Sequence, residues 1–409
     1  MEQYDDALLS NPGTEDLSAR WGETMTTISF DDRKPKLNIL PLLCGGSDTR
    51  KAPPGAVSEF GKYEKYSEPQ LNPSEHIAAI NRSGVPVYQW SAWFDIYTRD
   101  AFRWLENLEA PNRLTLGPWG HGTSDPKNER DRFYRIELLR WFDYWLKGID
   151  NGVLEEPPIH YATMVDPETW TWNTADTWPL PEAKSVSYYF SEGPSGSVSS
   201  VNDGVLSPES PSQEEGEDAY QVDYTTTTGA ESRWANGYGA PMDYPDMTEN
   251  DQKGLTYTTE PLSEDINVTG HPVVTLYISS TASDGDFFVH LEEVDAEGYS
   301  HYVTEGVLRA SHRALSDAPY DNLGLPFHGC NENEMETLSP GDVASLVFDL
   351  FPTSNVFNAG NRIRIAVTCA DQENMETPEL SPPPTVRLYR NRQYSSHVSL
   401  PIVESGVKN

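Results

Sequence analysis

The sequence predicts two unlike architectures in one chain, α/β plus all-β: a short α/β segment over residues 81–156, then a β-sandwich of jelly-roll type over residues 185–409. Three observations predict this. Between Val85 and Gly148, apolar runs of strand length alternate with runs at helical spacing, the pattern of a parallel sheet with helical crossovers. Beyond Lys184, short alternating runs are separated by turn residues and no long helical pattern recurs. At 409 residues the chain is also long for one core, and a 37% hydrophobic content with 11 Trp, 21 Tyr and 13 Phe can fill two.

Taken in order, residues 1–80 are polar and weakly periodic, with short helices expected at 14–25 and 73–82 and a surface loop at 51–72. A strand is expected at 85–90. A helix follows at 97–109, where Tyr97, Ala101, Trp104, Leu105 and Leu108 share a face, and then a strand at 113–117. Residues 129–147 predict an amphipathic helix with Phe133, Ile136, Leu138, Leu139, Phe142, Trp145 and Leu146 inward, stopped by Gly148. Prolines and tryptophans over 157–184 read as a crossing linker. The strands of the second part are expected at 185–190, 272–279, 286–294, 300–313, 344–350 and 362–368. The stretch 191–232 has no lysine or arginine until Arg233 and reads as a long surface excursion.

Charge and cysteines narrow the function. The net charge of −35, from 64 acidic against 29 basic residues, repels nucleic acid and anionic membrane, so neither is an expected partner. It fits adaptation to high salt, where screening relieves self-repulsion. No run of 18 apolar residues spans a membrane. The acidic start shows no signal peptide, so a cytoplasmic location is expected. Cys44, Cys330 and Cys369 are scattered without metal-ligand spacing and read as plain thiols. Asp284, Asp286, Asp295 and Glu297 match no calcium pattern and read as turn residues. No metal and no cofactor is expected.

The chemistry centres on two residues. Asp95 ends the run Val85-Pro-Val-Tyr-Gln-Trp-Ser-Ala-Trp-Phe-Asp, and His121 sits in the rigid turn Gly117-Pro118-Trp119-Gly120-His121-Gly122 after the next strand. An acid past one strand and a histidine past another can orient and then use a general base. Asp95 alone also reads as a helix N-cap, and His121 alone as a loop histidine with a structural hydrogen bond. Trp93, Phe94 and Trp119, with Trp90, flank the pair and read either as an apolar acyl-binding wall or as core packing.

Together with Arg140-Trp-Phe-Asp-Tyr-Trp-Leu-Lys-Gly148, Leu308-Arg-Ala-Ser-His-Arg313, Phe351-Pro-Thr-Ser354 and Gly360-Asn-Arg-Ile-Arg-Ile365, these motifs resemble the CocE/NonD hydrolases, the cocaine esterase and X-Pro dipeptidyl-peptidase family. The resemblance covers 81–409 well and 1–80 loosely. It implies a cap-like segment, the C-terminal part of an α/β-hydrolase sheet and a jelly roll. It also implies a triad acid at Asp95, a triad base at His121, and a small acyl ester or peptide as substrate.

The family's serine lies far upstream of the acid, on an elbow preceded by several strands, whereas only 94 residues precede Asp95. Ser91-Ala92 stands where the family carries Gly-Gly. Ser47 follows Gly45, but Thr49 occupies the second glycine position of an elbow and Pro53-Pro54 follows where a helix should start. Cys44 lacks a helix dipole to activate it. Two or three parallel strands cannot cover their own faces and edges. A partner chain bearing the nucleophile half, or a second copy, is therefore expected. The alternative is a non-hydrolytic binding or interaction protein on the same fold.

Overall fold

The computed structural model describes residues 76–122, 129–237, 240–329 and 334–404. Cys44, Ser47, Cys330, the helix expected at 14–25 and the loop at 51–72 lie outside them. The described molecule is mostly sheet with few helices.

The first part runs α1 (Ile77–Ser83), β1 (Val87–Ala92), α2 (Thr98–Asn107), β2 (Asn112–Gly117), α3 (Glu129–Lys147), β3 (Ile159–Met164) and β4 (Trp170–Ala175). β1 and β2 pair in parallel from Val87 opposite Asn112 to Ala92 opposite Gly117. β2 pairs in parallel with β3 through Leu114 and Ile159, and β4 returns antiparallel to β3. β2 is buried along nearly its whole length, as a central parallel strand should be. Its Leu114 and Leu116 join Trp93, Phe102, Ile159 and Trp178 in one core.

Two sequence expectations need correction here. The segment 157–184 is more than a linker, since Ile159–Met164 completes the parallel sheet and Trp170–Ala175 flanks it. The helix at 129–147 has the expected bounds but a different inner face. Phe142 and Leu146 are exposed, while Ile136, Glu137 and Trp141 are buried. Charge explains the rotation. Arg113, buried on β2, is ion-paired with Glu156 and lies 4.0 Å from Glu137, and Arg140 pairs with Glu137 at 2.7 Å. A buried arginine left unmatched is costlier than two exposed apolar side chains. Gly148 ends the helix at φ +68°, with its N–H on the Tyr144 carbonyl and that of Ile149 on Asp143.

From Ala183 on the chain is mostly strands, with only short helical turns between them. One antiparallel run orders them as Ser300–Arg309, Asp286–Val294, Arg362–Thr368 and Leu255–Thr258. A second orders Ala344–Asp349, Val273–Ser280, His397–Val403 and Ala183–Ser191. Gly204–Ser207 joins the two by pairing with both Ala183–Ser191 and Leu255–Thr258. Leu276, Phe287, Leu291, Leu346, Ile365 and Leu400 from both runs share one core. The stretch 191–232 is thus no loose excursion. It contributes the strands Gly204–Ser207 and Glu217–Gln221 and buries Tyr220, Thr226, Thr228 and Ser232. No helix among the described residues is long and apolar enough to cross a membrane.

Candidate active site

β1 and β2 end side by side, and the chain leaves each through a tight turn. Backbone bonds lock the two exits together: Trp93 N–H donates to the Gly117 carbonyl and Phe94 N–H to the Trp119 carbonyl. Asp95 and His121 are thereby carried to the same edge of the sheet, 26 residues apart in sequence. His121 Nδ1 lies 3.0 Å from Asp95 Oδ2. A carboxylate can only accept, so Nδ1 carries the proton and Nε2 is the basic nitrogen. No described residue hydrogen-bonds Nε2.

Asp95 does not cap α2, whose N-cap position is Tyr97 with no side-chain cap bond. Its Oδ1 instead accepts the Tyr97 N–H at 2.9 Å, closing the turn that leads into the helix, while Oδ2 faces the imidazole. Thr98 fastens the same turn by donating to the Ala92 and Asp95 carbonyls. Asp95 is buried, whereas the His121 side chain remains 42% exposed. The hydrogen bond to Asp95 raises the imidazole above its ordinary pKa; burial opposes it, and the Asp95 charge adds a lesser push upward.

The aromatic neighbours divide. Trp93 is 1% exposed, stacks on Phe102 and donates Nε1–H to the Ala162 carbonyl, so it packs as core. Phe94 is half-buried, with Tyr244 and Tyr302 at 6.1 and 6.3 Å. Trp119 stacks on Trp90 at 5.6 Å and lies 6.1 Å from Trp172, whose ring is partly exposed. The acidic residues set aside as turns are engaged by protein. Asp286 takes a bidentate bond from Arg309, Asp284 receives Ser311, and Asp295 binds His301.

Sequence reasoning did not find the residues that back the pair from the distant β-region. Helix α4 (Arg233–Asn236) lies against both turns. Arg233 is fully buried. It donates Nη1–H to the Asp95 carbonyl at 3.4 Å and Nε–H to the Tyr302 hydroxyl at 3.0 Å, over the Phe351 ring. Tyr302 in turn donates to Glu305. Burial alone would push the Glu305 carboxyl up. His290, Arg233 and Tyr302 together hold it below the ordinary value. The one available signal was that Arg233 is the first base after a long acidic stretch.

A histidine held by a carboxylate on loops that follow adjacent parallel strands is the arrangement of α/β-hydrolases. The chain belongs to the X-Pro dipeptidyl-peptidase family: the model of that family's C-terminal non-catalytic domain matches residues 151–398, and the S15-family X-Pro dipeptidyl-peptidase model matches residues 38–123. This is a family of serine-esterase and X-Pro dipeptidyl-peptidase-like hydrolases. A protein of Mycobacterium bovis named as a serine esterase is 41% identical over 377 residues, covering 88% of this chain and 56% of that protein. The cocaine esterase of a Rhodococcus species is 25% identical over 360 residues, covering 81% and 59%. In fold, a CocE/NonD family hydrolase from Staphylococcus aureus matches with a TM-score of 0.60 at 18% identity, covering 78% of this chain and 54% of that one. The chain therefore spans a little over half the length of the curated relatives it matches.

Proposed function

We propose that this chain supplies the acid and base of a serine-type acyl hydrolase acting on small esters or peptide amides. His121 is the general base and Asp95 holds its tautomer and stabilises the imidazolium. The 3.0 Å contact between Nδ1 and Oδ2 carries the reading. In the reaction, Nε2 takes the proton of a serine hydroxyl as its oxygen attacks the substrate carbonyl. The same nitrogen then returns the proton to the departing alcohol or amine. Phe94 and Trp119 form the acyl-side wall and Trp93 braces the strand end behind them. The parts divide as a cap-like segment at 1–80, a hydrolase sheet that begins at 81–156 and takes its last strands from 157–184, and a jelly roll at 185–409. We assign the nucleophile to a serine outside residues 1–409, on a partner chain or on sequence continuous with this one, because Ser47 lacks the second glycine of an elbow.

The test is fluorophosphonate labelling in molar salt, followed by peptide mass spectrometry, on residues 1–409 alone and on the protein captured with whatever accompanies it in its native cells. The expected result is no labelled serine within residues 1–409 and one outside them, lost with His121→Ala. A label within residues 1–409, above all at Ser47, overturns the placement of the nucleophile. Equal labelling with His121→Ala overturns the acid–base assignment. No label in either preparation overturns hydrolysis in favour of a binding protein on the same fold.

A further inference from the structure

The residues matched by the model of a non-catalytic domain, 151–398, include α4, and α4 touches both catalytic turns. Asn236 Oδ1 accepts the backbone N–H of His121, across 115 positions of sequence. The amide cannot turn away, because its Nδ2 donates to the Ala240 carbonyl at 2.7 Å. Glycine precedes His121 for a reason that lies on this side of the contact. A Cβ at Gly120 would fall on Asn236 Oδ1 and come within 3.3 Å of the Met242 sulfur. On the acid side, a Cβ at Gly237 would lie 3.0 Å from Ile96 Cδ1, and Arg233 holds the Asp95 carbonyl.

From this geometry we infer that the C-terminal β-region takes part in the site: Asn236 is a positioning residue for His121, as Arg233 is for Asp95. The inference rests on the hydrolase reading given above. The Nδ1–Oδ2 distance depends on how two separate turns lie relative to each other. One short helix fixes both, the first through a backbone carbonyl and the second through a backbone N–H. Neither contact touches a reacting atom, so the expected effect is on the orientation of the imidazole. The charge that faces that ring is Asp95, and the Tyr97 ring lies 5.8 Å away.

The experiment is nitrogen-15 NMR of the histidine side chains in the full chain, with His121 assigned by the signal that His121→Ala removes. The wild type should show a downfield Nδ1–H and a titration midpoint above that of a free imidazole. Asn236→Ala should lose the Nδ1–H signal and move the midpoint back toward the free value. Asn236→Asp, which keeps an acceptor oxygen, should retain the signal. Gly120→Ala, which displaces Asn236 from the other side, should reproduce the loss, so a folding failure of one variant leaves the other. A purely structural role would lower the melting temperature and leave signal and midpoint unchanged; that result overturns the inference. Absence of the signal in the wild type would instead remove the Asp95–His121 pair, and the hydrolase reading with it.

Discussion

Replacing Asp349 with asparagine tests how firmly the acid-bearing turn is tied to the β-region. Asp349 ends the strand Ala344–Asp349 and is 4% exposed. Its Oδ2 lies 2.8 Å from Arg99 Nε, and the same arginine donates Nη2–H to the Asp349 carbonyl. Arg99 sits in the first turn of α2, four residues after Asp95. The gross attraction is about 6 kcal/mol at 2.8 Å with an effective dielectric constant of about 20. Much of it offsets the desolvation of two charges, so the pair as a whole contributes little. Breaking it is another matter, because Asp349→Asn leaves a buried guanidinium over the Phe351 ring without its bonded counter-charge, Asp100 acting on it only more weakly. The expected cost is about 3–5 kcal/mol, read as a loss in urea-unfolding free energy followed by tryptophan fluorescence. Arg99→Met combined with Asp349→Leu removes both charges and should cost clearly less than Asp349→Asn alone. Burial pushes the Asp349 carboxyl up, but Arg99 and His271 outweigh it and hold it far below the ordinary value. A depressed carboxylate stabilises the fold above its unfolded pKa, and that stability fades as pH falls toward the folded one. Wild type and Asp349→Asn should therefore converge in strong acid. A cost under about 1 kcal/mol, the scale of an exposed pair, or a double variant as unstable as the sum of the singles, would refute the reasoning.

Two further perturbations have definite expected outcomes. In the proposed hydrolase, Asp95→Asn should lower kcat by roughly 10⁴, as loss of the orienting acid does in serine proteases. It should also move the acid limb of the rate profile to lower pH, because the hydrogen bond and charge that raise the His121 pKa are gone; an unmoved limb would contradict the assignment. The raised imidazole stabilises the fold below the unfolded pKa and loses that contribution as pH rises through the folded value, so Asp95→Asn should flatten this dependence. With a net charge of −35, the melting temperature should climb between 0.1 and 2 M KCl, since the screening length shrinks from about 10 Å to under about 3 Å. A flat thermal profile across that range would show that self-repulsion does not limit this fold.

The legible parts of the sequence were those whose cause is local. The strands 286–294 and 362–368 and the helix 129–147 have the expected bounds, because apolar residues at one period dominate each. Asp95 and His121 meet as anticipated because β1 and β2 pair in register, Ala92 opposite Gly117. What escaped was decided by distant partners. Glu217–Gln221 looks like an acidic loop, yet its Glu217 is matched by Arg387 on the paired strand Thr385–Tyr389 and its Asp218 by Arg390 just past that strand, and only Tyr220 is buried in the core. Ile159–Met164 hid behind Pro157-Pro158. The face of α3 differs from the expected one because Arg113, a single buried charge on the sheet, outweighs the burial of Phe142 and Leu146 on the helix. Asn236 offers no local signal at all, since its role exists only where Gly120 comes to rest against it.

The effort spent on one partly exposed histidine supports its use in chemistry. His121 contributes little to the core at 42% side-chain exposure, and a loop histidine of that kind is cheap to replace. Its surroundings are not cheap. Trp93 and Phe94 are bonded to the exit of β2, and both oxygens of a buried Asp95 are engaged. A fully buried arginine holds the backbone of the acid, and a glycine makes room for the amide that holds the backbone of the base. Arg233 needs Tyr302 and Glu305 to be tolerated at all, so the support extends two residues further into the β-region. Packing alone asks for none of this, because an apolar side chain at each position would fill the same space without a buried charge to satisfy. A basic nitrogen held at a fixed place by groups from three parts of the chain is what proton transfer to and from a serine requires.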